Sequence, residues 1–325
     1  MNDISIIVCT SSVELADLGI GDFFHSSELF RIYEKTPRHS PIMVVARCAD
    51  GRVAAHMLAV VRRRSWVVPP FLMWHCRILG EGEYAGFEDR RDELFNMMMT
   101  ELVKNLPVHV AYVELSHLST KMFGYKTLTR LGFFPVNWMN IYNSLHSKTP
   151  EERISPKLML RINEAMANGV QTFEVETDDD LDDFIRLLKV HNITKPKRFI
   201  PDAVFFKRLV KSNSARLLVT RYHNNTIGCC AYVMSKGNAY LWYFGSLRKS
   251  FLRLYPAEVT TWNAIKKAYA DGCQHFCFLD VGLPYRANKL RDFILRFGGK
   301  PVSAFRWFKF RYAWINRILS HVLSF

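Results

Sequence analysis

The chain contains an internal repeat in which two long stretches each align with a later stretch without gaps. The segment MVVARCADGRVAAHML (43–58) aligns with LLVTRYHNNTIGCCAY (217–232). Residues 108–136 align in the same way with 274–302, and this second alignment keeps glycines and prolines in register: Gly132 with Gly298, and Pro135 with Pro301. Because chance does not readily produce a match of this length, the chain is predicted to be a tandem of two homologous units.

Both copies predict the same order of elements. Copy one has two strands joined by a turn at Asp50-Gly51, then a strand at 71–79 and a helix at 92–106. Copy two has the corresponding features in the same order: a turn at Asn224-Asn225, a strand at 239–246, a helix at 257–272 and a strand at 275–281. The order strand, turn, strand, strand, helix, strand, helix, strand indicates an α/β (α+β) fold, with a mixed, mostly antiparallel sheet flanked by helices.

A polar stretch at 146–156 separates the copies and predicts two domains, 1–150 and 151–325. The helix after it is expected to begin with Pro156 and to end before Gly169. Thr177 is expected to cap the following helix, with Asp178 to Asp180 in its first turn. A metal site at these aspartates is the alternative, but the segment lacks the spacing of an EF-hand loop.

The composition indicates a polyanionic partner. The formal net charge is +14 and the isoelectric point is about 9.5, a balance that favours nucleic acid, phosphate-bearing ligands or an anionic membrane. Arg62, Arg63 and Arg64 are consecutive, and 305–317 is also basic. Plain solubility is the competing explanation of the charge.

The remaining composition predicts a cytoplasmic protein. The seven cysteines have no metal or disulfide spacing, so they are expected to be free thiols in a reducing compartment. The first residues lack the basic region of a signal peptide, and no apolar stretch reaches the roughly 18 residues of a spanning helix. Peripheral contact with the inner membrane face is left open.

Several segments resemble the GNAT N-acyltransferase superfamily. LTRLGFFPVNWMNIYNSL (128–145) resembles its closing helix and strand. The whole chain resembles the FemABX-like branch, which has two GNAT units and includes peptidoglycan bridge aminoacyltransferases. Three segments carry that match: PKLMLRINEAMANGVQTFEVET (156–177), AYLWYFGS with AEVTTWNAIKKAYADG (239–272), and FLDVG with LRDFILRFGG (278–299). The resemblance covers roughly 40–140 and 156–310, and it implies two tandem GNAT-like domains.

Two departures from the family pattern bear on the acyl donor. Phe293 is followed by Ile294, where the family has a lysine. Neither copy has the RxxGxG loop whose amides cradle the coenzyme A pyrophosphate; 245–257 is basic instead, and 80–91 is acidic. The resemblance therefore implies either acyl-CoA or aminoacyl-tRNA as donor, without a metal ion.

The resemblance places the reaction in the cleft between two central strands, 239–246 and 275–281. Asp280 is a candidate to orient the acceptor amine or to take its proton, and capping of the next turn is its alternative role. Tyr243 is the candidate acid and Tyr240 a candidate anchor of the acceptor, with Trp242 expected to face the other way; both tyrosines could instead belong to the core. Glu114 is the counterpart of Asp280 in copy one and a weaker candidate for substrate binding.

Basic residues near the same strands are candidates for substrate binding. Arg248, Lys249 and Arg253 stand where the phosphate loop of the family would be, and could hold a pyrophosphate or tRNA phosphate. Arg286 and Lys289 could hold an anionic acceptor, and a solvated loop is the alternative for both groups. The isolated histidines are expected to be structural: His191, His223 and His275.

The tail consists of a predicted basic and aromatic strand, 305–311, followed by an amphipathic helix. That helix is expected to pack on the core, with membrane contact as the alternative.

The sequence thus leads to one main hypothesis, an N-acyltransferase that acts on an amine of an anionic acceptor such as a cell-envelope precursor. Copy two is expected to hold the reactive centre and copy one to complete the groove. A catalytically inactive GNAT-fold scaffold that binds RNA or an anionic ligand is the alternative.

Overall fold

The computed structural model describes residues 4–15, 18, 21–63, 74–84, 86–118, 121–193 and 199–323. The chain forms two compact units: unit 1 is Met1–Trp138 with Ser303–Phe325, and unit 2 is Met139–Val302. These units differ from the halves 1–150 and 151–325 expected from the repeat, because the end of each copy lies in the unit of the other. Arg64 of the basic run and residues 71–73 of a predicted strand fall outside the described residues.

Unit 1 is a sheet with one long helix on one face. Its described elements are α1 (Ser27–Glu34), α2 (Arg91–Asn105), α3 (Tyr125–Arg130), α10 (Ala313–Leu323), β1 (Ile4–Cys9), β2 (His39–Cys48), β3 (Val53–Arg63), β4 (Trp74–Leu79), β5 (Tyr112–Ser116) and β12 (Lys300–Phe310). The sheet order is β1-β2-β3-β4-β5-β12, antiparallel except for the parallel pair β4 and β5. The apolar side of α2 packs against the strands and forms the core.

Unit 2 repeats this plan. Its elements are β6 (Phe134–Ser144), β7 (Val170–Glu174), β8 (Ala215–Tyr222), β9 (Asn225–Ser235), β10 (Asn238–Ser246), β11 (His275–Phe278), α4 (Pro150–Arg153), α5 (Pro156–Ala167), α6 (Asp178–Asn192), α7 (Ala203–Leu209), α8 (Pro256–Ala270) and α9 (Lys289–Leu295). The order is β7-β8-β9-β10-β11-β6, antiparallel except for the parallel pair β10 and β11. The predicted mixed α/β fold with mostly antiparallel sheets is confirmed.

The last strand of each copy is exchanged. β6 follows copy one in sequence but pairs with β11 of unit 2, from Ile141 to Ser144. β12 follows copy two but pairs with β5 of unit 1, from Arg306 to Phe310. Trp307 of β12 is fully buried in the unit 1 core.

Local geometry also repeats at aligned positions. The hairpins β2–β3 and β8–β9 each have a register shift at the aligned arginine, Arg47 in one and Arg221 in the other. Gly51 has a positive φ, as predicted. In the second hairpin the turn is at His223-Asn224, one residue before the predicted Asn224-Asn225, and His223 takes the left-handed conformation.

Helix boundaries in unit 2 follow the predicted signals. Pro156 is the first residue of α5, and Gly169 after it has a left-handed φ of +94°. The Thr177 hydroxyl accepts from the Asp180 N–H while the Asp180 carboxylate accepts from the Thr177 N–H, a capping box. Asp180 also pairs with Arg221 at 2.7 Å, so this carboxylate serves the helix start and an ion pair.

The C-terminal helix departs from expectation. Asn316 ties α10 to unit 1 by donating to Gly132 O and accepting from Phe310 N, each at 3.0 Å. No residue of α10 is buried, and Trp314, Ile318 and Val322 are exposed by more than half. Ile315, Leu319 and Leu323 are half-buried, so the expectation that the helix packs on the core is met only in part. Among the described helices, none has the length and apolarity to cross a bilayer.

Candidate active site in unit 2

The central feature of unit 2 is the divergence of its two parallel strands. β10 and β11 pair over four residues, from Asn238 with His275 to Leu241 with Phe278. Beyond that point β10 continues along β9 to Ser246. The chain after β11 follows Met139 instead: Val281 N donates to Met139 O at 3.2 Å, and Met139 N donates to Gly282 O at 3.0 Å. The sheet therefore opens at the carboxyl ends of the parallel strands, where ligands bind in open α/β sheets.

The aligned region of unit 1 stays closed. There β4 and β5 pair from His75 with Tyr112 to Leu79 with Ser116, and Gly80 N then donates to Ser116 O at 2.9 Å. Beyond this bond, the buried Glu81 carboxylate accepts from Leu118 N at 3.1 Å, so a side chain continues to link the two segments after the strands end. The two copies therefore differ at the position where a cleft forms in unit 2.

Asp280 lies in the turn that leaves β11. The predicted strand to residue 281 ends at Phe278, so Asp280 is two residues past it, exposed and in the left-handed conformation (φ 65°). Gly282 is also left-handed, at +99°. These two left-handed residues lie where the chain leaves β11, and they place Asp280 in the segment that follows the end of the parallel pairing.

The other candidates on β10 stand beside a bulge. The register shifts between Leu241 and Tyr243, so Trp242 is an extra residue of this strand. Such bulges re-aim side chains and are frequent next to active sites. The Trp242 and Tyr243 rings both contact Phe205, with centroids at 5.5 and 6.0 Å, so the expectation that Trp242 faces away is wrong.

Tyr240 and Tyr243 are both buried. Phe206 lies 5.1 Å from the Tyr243 ring and, with Phe205, forms an aromatic wall beside it. Sequence reasoning missed the two phenylalanines, because adjacent aromatics on a short helix look like any core segment.

The loop after β10 carries the first basic group. Arg248, Lys249 and Arg253 are all exposed between β10 and α8. Several loop amides are already used: Ser250 N and Phe251 N donate to Leu247 O at 3.1 and 3.2 Å. α8 then begins with Pro256, which has no N–H, and has the buried Glu258 in its first turn. The loop therefore offers cationic side chains to a phosphate rather than a cradle of backbone amides, in agreement with the missing glycine motif.

The loop after β11 carries the second basic group, Arg286 and Lys289, both exposed. Two residues that the sequence analysis did not single out hold this loop. Asn288 donates to Val281 O at 2.6 Å and caps α9 by accepting from Leu290 N at 2.9 Å. The Arg291 guanidinium donates to Leu283 O, Pro284 O and Arg286 O at 2.8 to 3.3 Å.

Six of the predicted residues thus follow the carboxyl ends of the diverging strands: Asp280, Arg248, Lys249, Arg253, Arg286 and Lys289. Tyr240 and Tyr243 lie on β10 itself. Glu114 is not among them. It lies inside β5 in unit 1, buried and paired in register with Arg77, although the alignment equates it with Asp280.

Thiols and histidines of unit 2 are structural. All seven cysteines of the chain are free and buried, as expected. Burial raises the pKa of Cys273 to about 11 and that of Cys277 further, so neither is a thiolate at neutral pH. His191 contacts the backbone of Ser246, and His275 pairs with the Asn238 side chain.

Residues 158–287 match the family model described as an acetyltransferase (GNAT) domain. No curated protein matches the sequence. Among solved structures the chain is similar to FemX, with 11% identity, a TM-score of 0.63, and coverage of 94% of this chain and 95% of that one. It is also similar to a tandem GNAT protein from the clavulanic acid biosynthesis pathway (9%, TM-score 0.58, 95% and 98% covered). L-PGS from Bacillus licheniformis is a third (12%, TM-score 0.54, 94% and 98% covered).

The resemblance to the FemABX-like branch is therefore confirmed for the fold. The matched segment contains β10, α8, β11 and the opening between the strands. It includes the whole basic loop after β10 and the loop after β11 as far as residue 287, and therefore Arg286 but not Lys289. Residues 158–287 thus resemble a GNAT acetyltransferase domain, and the chain as a whole has the fold of FemX and of the tandem GNAT protein.

Proposed function

We propose that the protein transfers an acyl or aminoacyl group to the amine of an anionic acceptor at the opening between β10 and β11. The observation that carries this proposal is the divergence after Leu241 and Phe278 inside the acetyltransferase-like segment. It leaves a carboxylate at one side, Asp280, and basic loops after both strands. That arrangement suits a reaction that joins two substrates, of which at least one carries negative charge.

The chemistry requires a neutral amine and a held carbonyl. The acceptor ammonium gives its proton to Asp280, directly or through a water molecule. The amine nitrogen then attacks the donor carbonyl carbon, so that a C–N bond forms and the C–S bond of a thioester or the C–O bond of an ester breaks. The leaving thiolate or alkoxide takes a proton, for which the Tyr243 hydroxyl is the candidate source. The attacking nitrogen loses its second proton as the amide forms, and that proton restores the Tyr243 hydroxyl, directly or through water. Positioning of both substrates supplies a large part of the rate.

The donor is acyl-CoA or an aminoacyl-tRNA. Both carry phosphates, and Arg248, Lys249 and Arg253 provide three exposed cations after β10. GNAT domains generally take acyl-CoA, while the resemblance to the FemABX-like branch implies aminoacyl-tRNA. The occupied amides of the 247–254 loop favour a donor held by side-chain charge, which either molecule satisfies.

The acceptor is an amine that also carries negative charge, such as a cell-envelope precursor. Arg286 and Lys289 lie on the loop that Asn288 and Arg291 hold in place. Guanidinium and ammonium groups on a fixed loop lose less freedom when they bind a phosphate or carboxylate. Tyr240 lies on the adjoining strand as a candidate contact to the acceptor.

The test is a transfer assay with purified protein, acyl-CoAs, charged tRNAs and amine acceptors, followed by mass spectrometry of the products. Asp280→Asn is expected to lower the transfer rate by at least about 100-fold, the usual scale for loss of a general base, with donor affinity unchanged. The triple variant R248Q/K249Q/R253Q is expected to weaken donor binding instead.

The matched control is Arg52→Gln, which removes an exposed arginine of unit 1 whose guanidinium pairs with Asp50 in the β2–β3 turn. It should leave both properties unchanged. Ligand binding without transfer by the unmodified protein would contradict the proposal and favour the inactive scaffold that binds RNA or an anionic ligand.

We further propose that α10 contacts an anionic lipid surface. Trp314, Ile318 and Val322 form an exposed apolar stripe at four-residue spacing, and Arg311 and Arg317 are exposed beside it. Together with the net charge of +14, this combination suits binding in the interface of an anionic bilayer. Deleting 313–325 is expected to abolish co-sedimentation with phosphatidylglycerol-containing vesicles. Unchanged partitioning of the shortened chain would refute the contact.

A further inference from the structure

The sheet of unit 1 places arginines together on the face opposite α2. Cys76 and Ile78 of β4 point into the core beneath α2, so Arg77 between them points to the other face. The same alternation in β5 directs Val113 and Leu115 to the core and Glu114 and Ser116 outward. Neighbouring strands bring two more arginines to this face: Arg62 of β3, which pairs with His75, and Arg306 of β12, which pairs with Ser116.

Arginines outnumber acidic residues among the described strands that form this face. Strands β2 to β5 and β12 contain a single acidic residue, Glu114. Its Oε1 lies 3.3 Å from Arg306 Nη1 and 3.9 Å from Arg77 Nε. The side chains are only 11% exposed for Glu114, 12% for Arg306 and 19% for Arg77, so water screens them poorly.

Burial of this kind is costly for cations that outnumber the carboxylates among them. Loss of hydration on burial is the main cause that lowers the pKa of Arg306 to about 10; Glu114 raises this pKa, and Arg77 and Arg62 lower it further. A bound anion would relieve this imbalance by adding negative charge where the guanidiniums converge.

Neutral donors border the same place. Ser116 is 7% exposed, and within the described residues its hydroxyl has no hydrogen-bond partner. Because Ser116 is directly opposite Arg306 in the antiparallel pair, their side chains are neighbours. The Arg306 guanidinium stacks over the Trp138 ring at 4.1 Å, and the buried indole N–H of Trp138 likewise has no partner in the described part of the chain.

We infer that this cluster, formed by Arg62, Arg77, Glu114, Ser116, Trp138 and Arg306, binds a phosphate group of an anionic ligand. Each guanidinium can donate two parallel hydrogen bonds to a phosphate group. A phosphate has enough oxygen atoms to accept from two guanidiniums at once, whereas a carboxylate has only two oxygens. The Ser116 hydroxyl and the Trp138 indole supply further donors, and Glu114 holds Arg306 and Arg77 in place. All six residues lie in unit 1, whose first segment ends at Trp138 within β6, and the site does not depend on acyl transfer in unit 2.

The experiment is calorimetric titration of the full chain with inorganic pyrophosphate. The background is the variant R248Q/K249Q/R253Q with R286Q/K289Q added, so that neither basic group of unit 2 contributes binding. In that background, saturable binding is expected. Adding Arg77→Gln should weaken it by at least about tenfold, which corresponds to the loss of a charge-assisted hydrogen bond.

Ser116→Ala provides a second variant that removes one hydroxyl and is expected to weaken binding several-fold without disturbing the fold. Arg52→Gln is the control, since its side chain is 67% exposed and lies at the β2–β3 turn. Thermal melting verifies that each variant is folded. If Arg77→Gln does not fold, the affinity of Ser116→Ala for pyrophosphate is the test of the proposed site. No saturable binding in the background, equal affinity of all variants, or tighter binding of acetate than of pyrophosphate would overturn the assignment.

Discussion

Gly132 and Gly298 occupy aligned positions and share a backbone conformation, but the space around them differs. Both have left-handed backbones, with φ of +81° and +88°, where a side chain costs energy. Their surroundings differ. A Cβ on Gly132 would meet nothing nearer than Lys309 Nζ at 3.8 Å, whereas one on Gly298 would collide with the backbone oxygen of Arg153.

The two glycines give a matched pair of substitutions. Gly132→Ala is expected to lower the free energy of unfolding by about 1–2 kcal/mol, the cost of the left-handed conformation alone. Gly298→Ala should cost about 1–3 kcal/mol more, because the backbone around Arg153 must also shift. Urea unfolding of both variants measures the difference. Equal losses would show that the space at residue 298 has no effect.

Asp280 and Glu114 make the same point about alignment. They occupy equivalent sequence positions, yet Glu114 is buried in a paired strand and Asp280 is exposed in a turn. The similarity of the copies predicted an acidic residue in both units, but not these different environments. The difference arises from strand pairing: β4 stays paired with β5 past Glu114, whereas the pairing of β10 with β11 ends before Asp280.

At the level of elements, the divergence of β10 and β11 is the feature from which the proposed function follows. It depends on main-chain hydrogen bonds, from Val281 and Met139, between segments far apart in sequence. Helix ends, in contrast, were predictable: Pro156, Gly169 and Thr177 act through contacts within a few residues. The apolar stripe of α10 was visible in the sequence, while its exposure was not, because exposure depends on what the fold brings nearby.

The central strand β10 also shows where pattern reasoning fails. Strict alternation put Trp242 on the opposite side from Tyr243, but a one-residue bulge turns both rings towards Phe205. A bulge of this kind has no local signal in this segment, since none of its residues is a glycine or proline before Gly245.

At the scale of the whole molecule, the exchange of β6 and β12 means that neither sequence copy contains a complete unit. Unit 1 includes residues 303–325, and Trp307 of β12 is buried in its core. The edge of β5 is paired by β12 over five residues, Arg306 to Phe310. A chain that lacks this strand would expose both an apolar core and an unpaired edge.

Two tryptophans of the C-terminal segment test this arrangement. Trp307→Ala is expected to lower the free energy of unfolding by about 3–5 kcal/mol, the usual cost of removing a fully buried aromatic side chain. Trp314→Ala, whose side chain is 65% exposed, should change it little. Denaturant unfolding followed by circular dichroism compares the two.

Truncation extends the test to the strand. A chain that ends at Val302 should lose the folded unit 1, whereas one that ends at Arg311 should keep it. Independent folding of residues 1–150 would contradict the exchange of strands.

The sequence by itself determined the duplication, the order of elements in each copy, the helix ends and the acyltransferase-like fold, because these follow from local propensity and from patterns that repeat along the chain. It also singled out the acidic and basic residues after the central strands of copy two. Only the tertiary structure decided that the last strands change units, that β10 and β11 diverge while β4 and β5 remain bridged, and that Arg77 and Arg306 converge on Glu114. Those features depend on pairing between residues distant in sequence, and such pairing is set by which edges and faces the folded chain brings together.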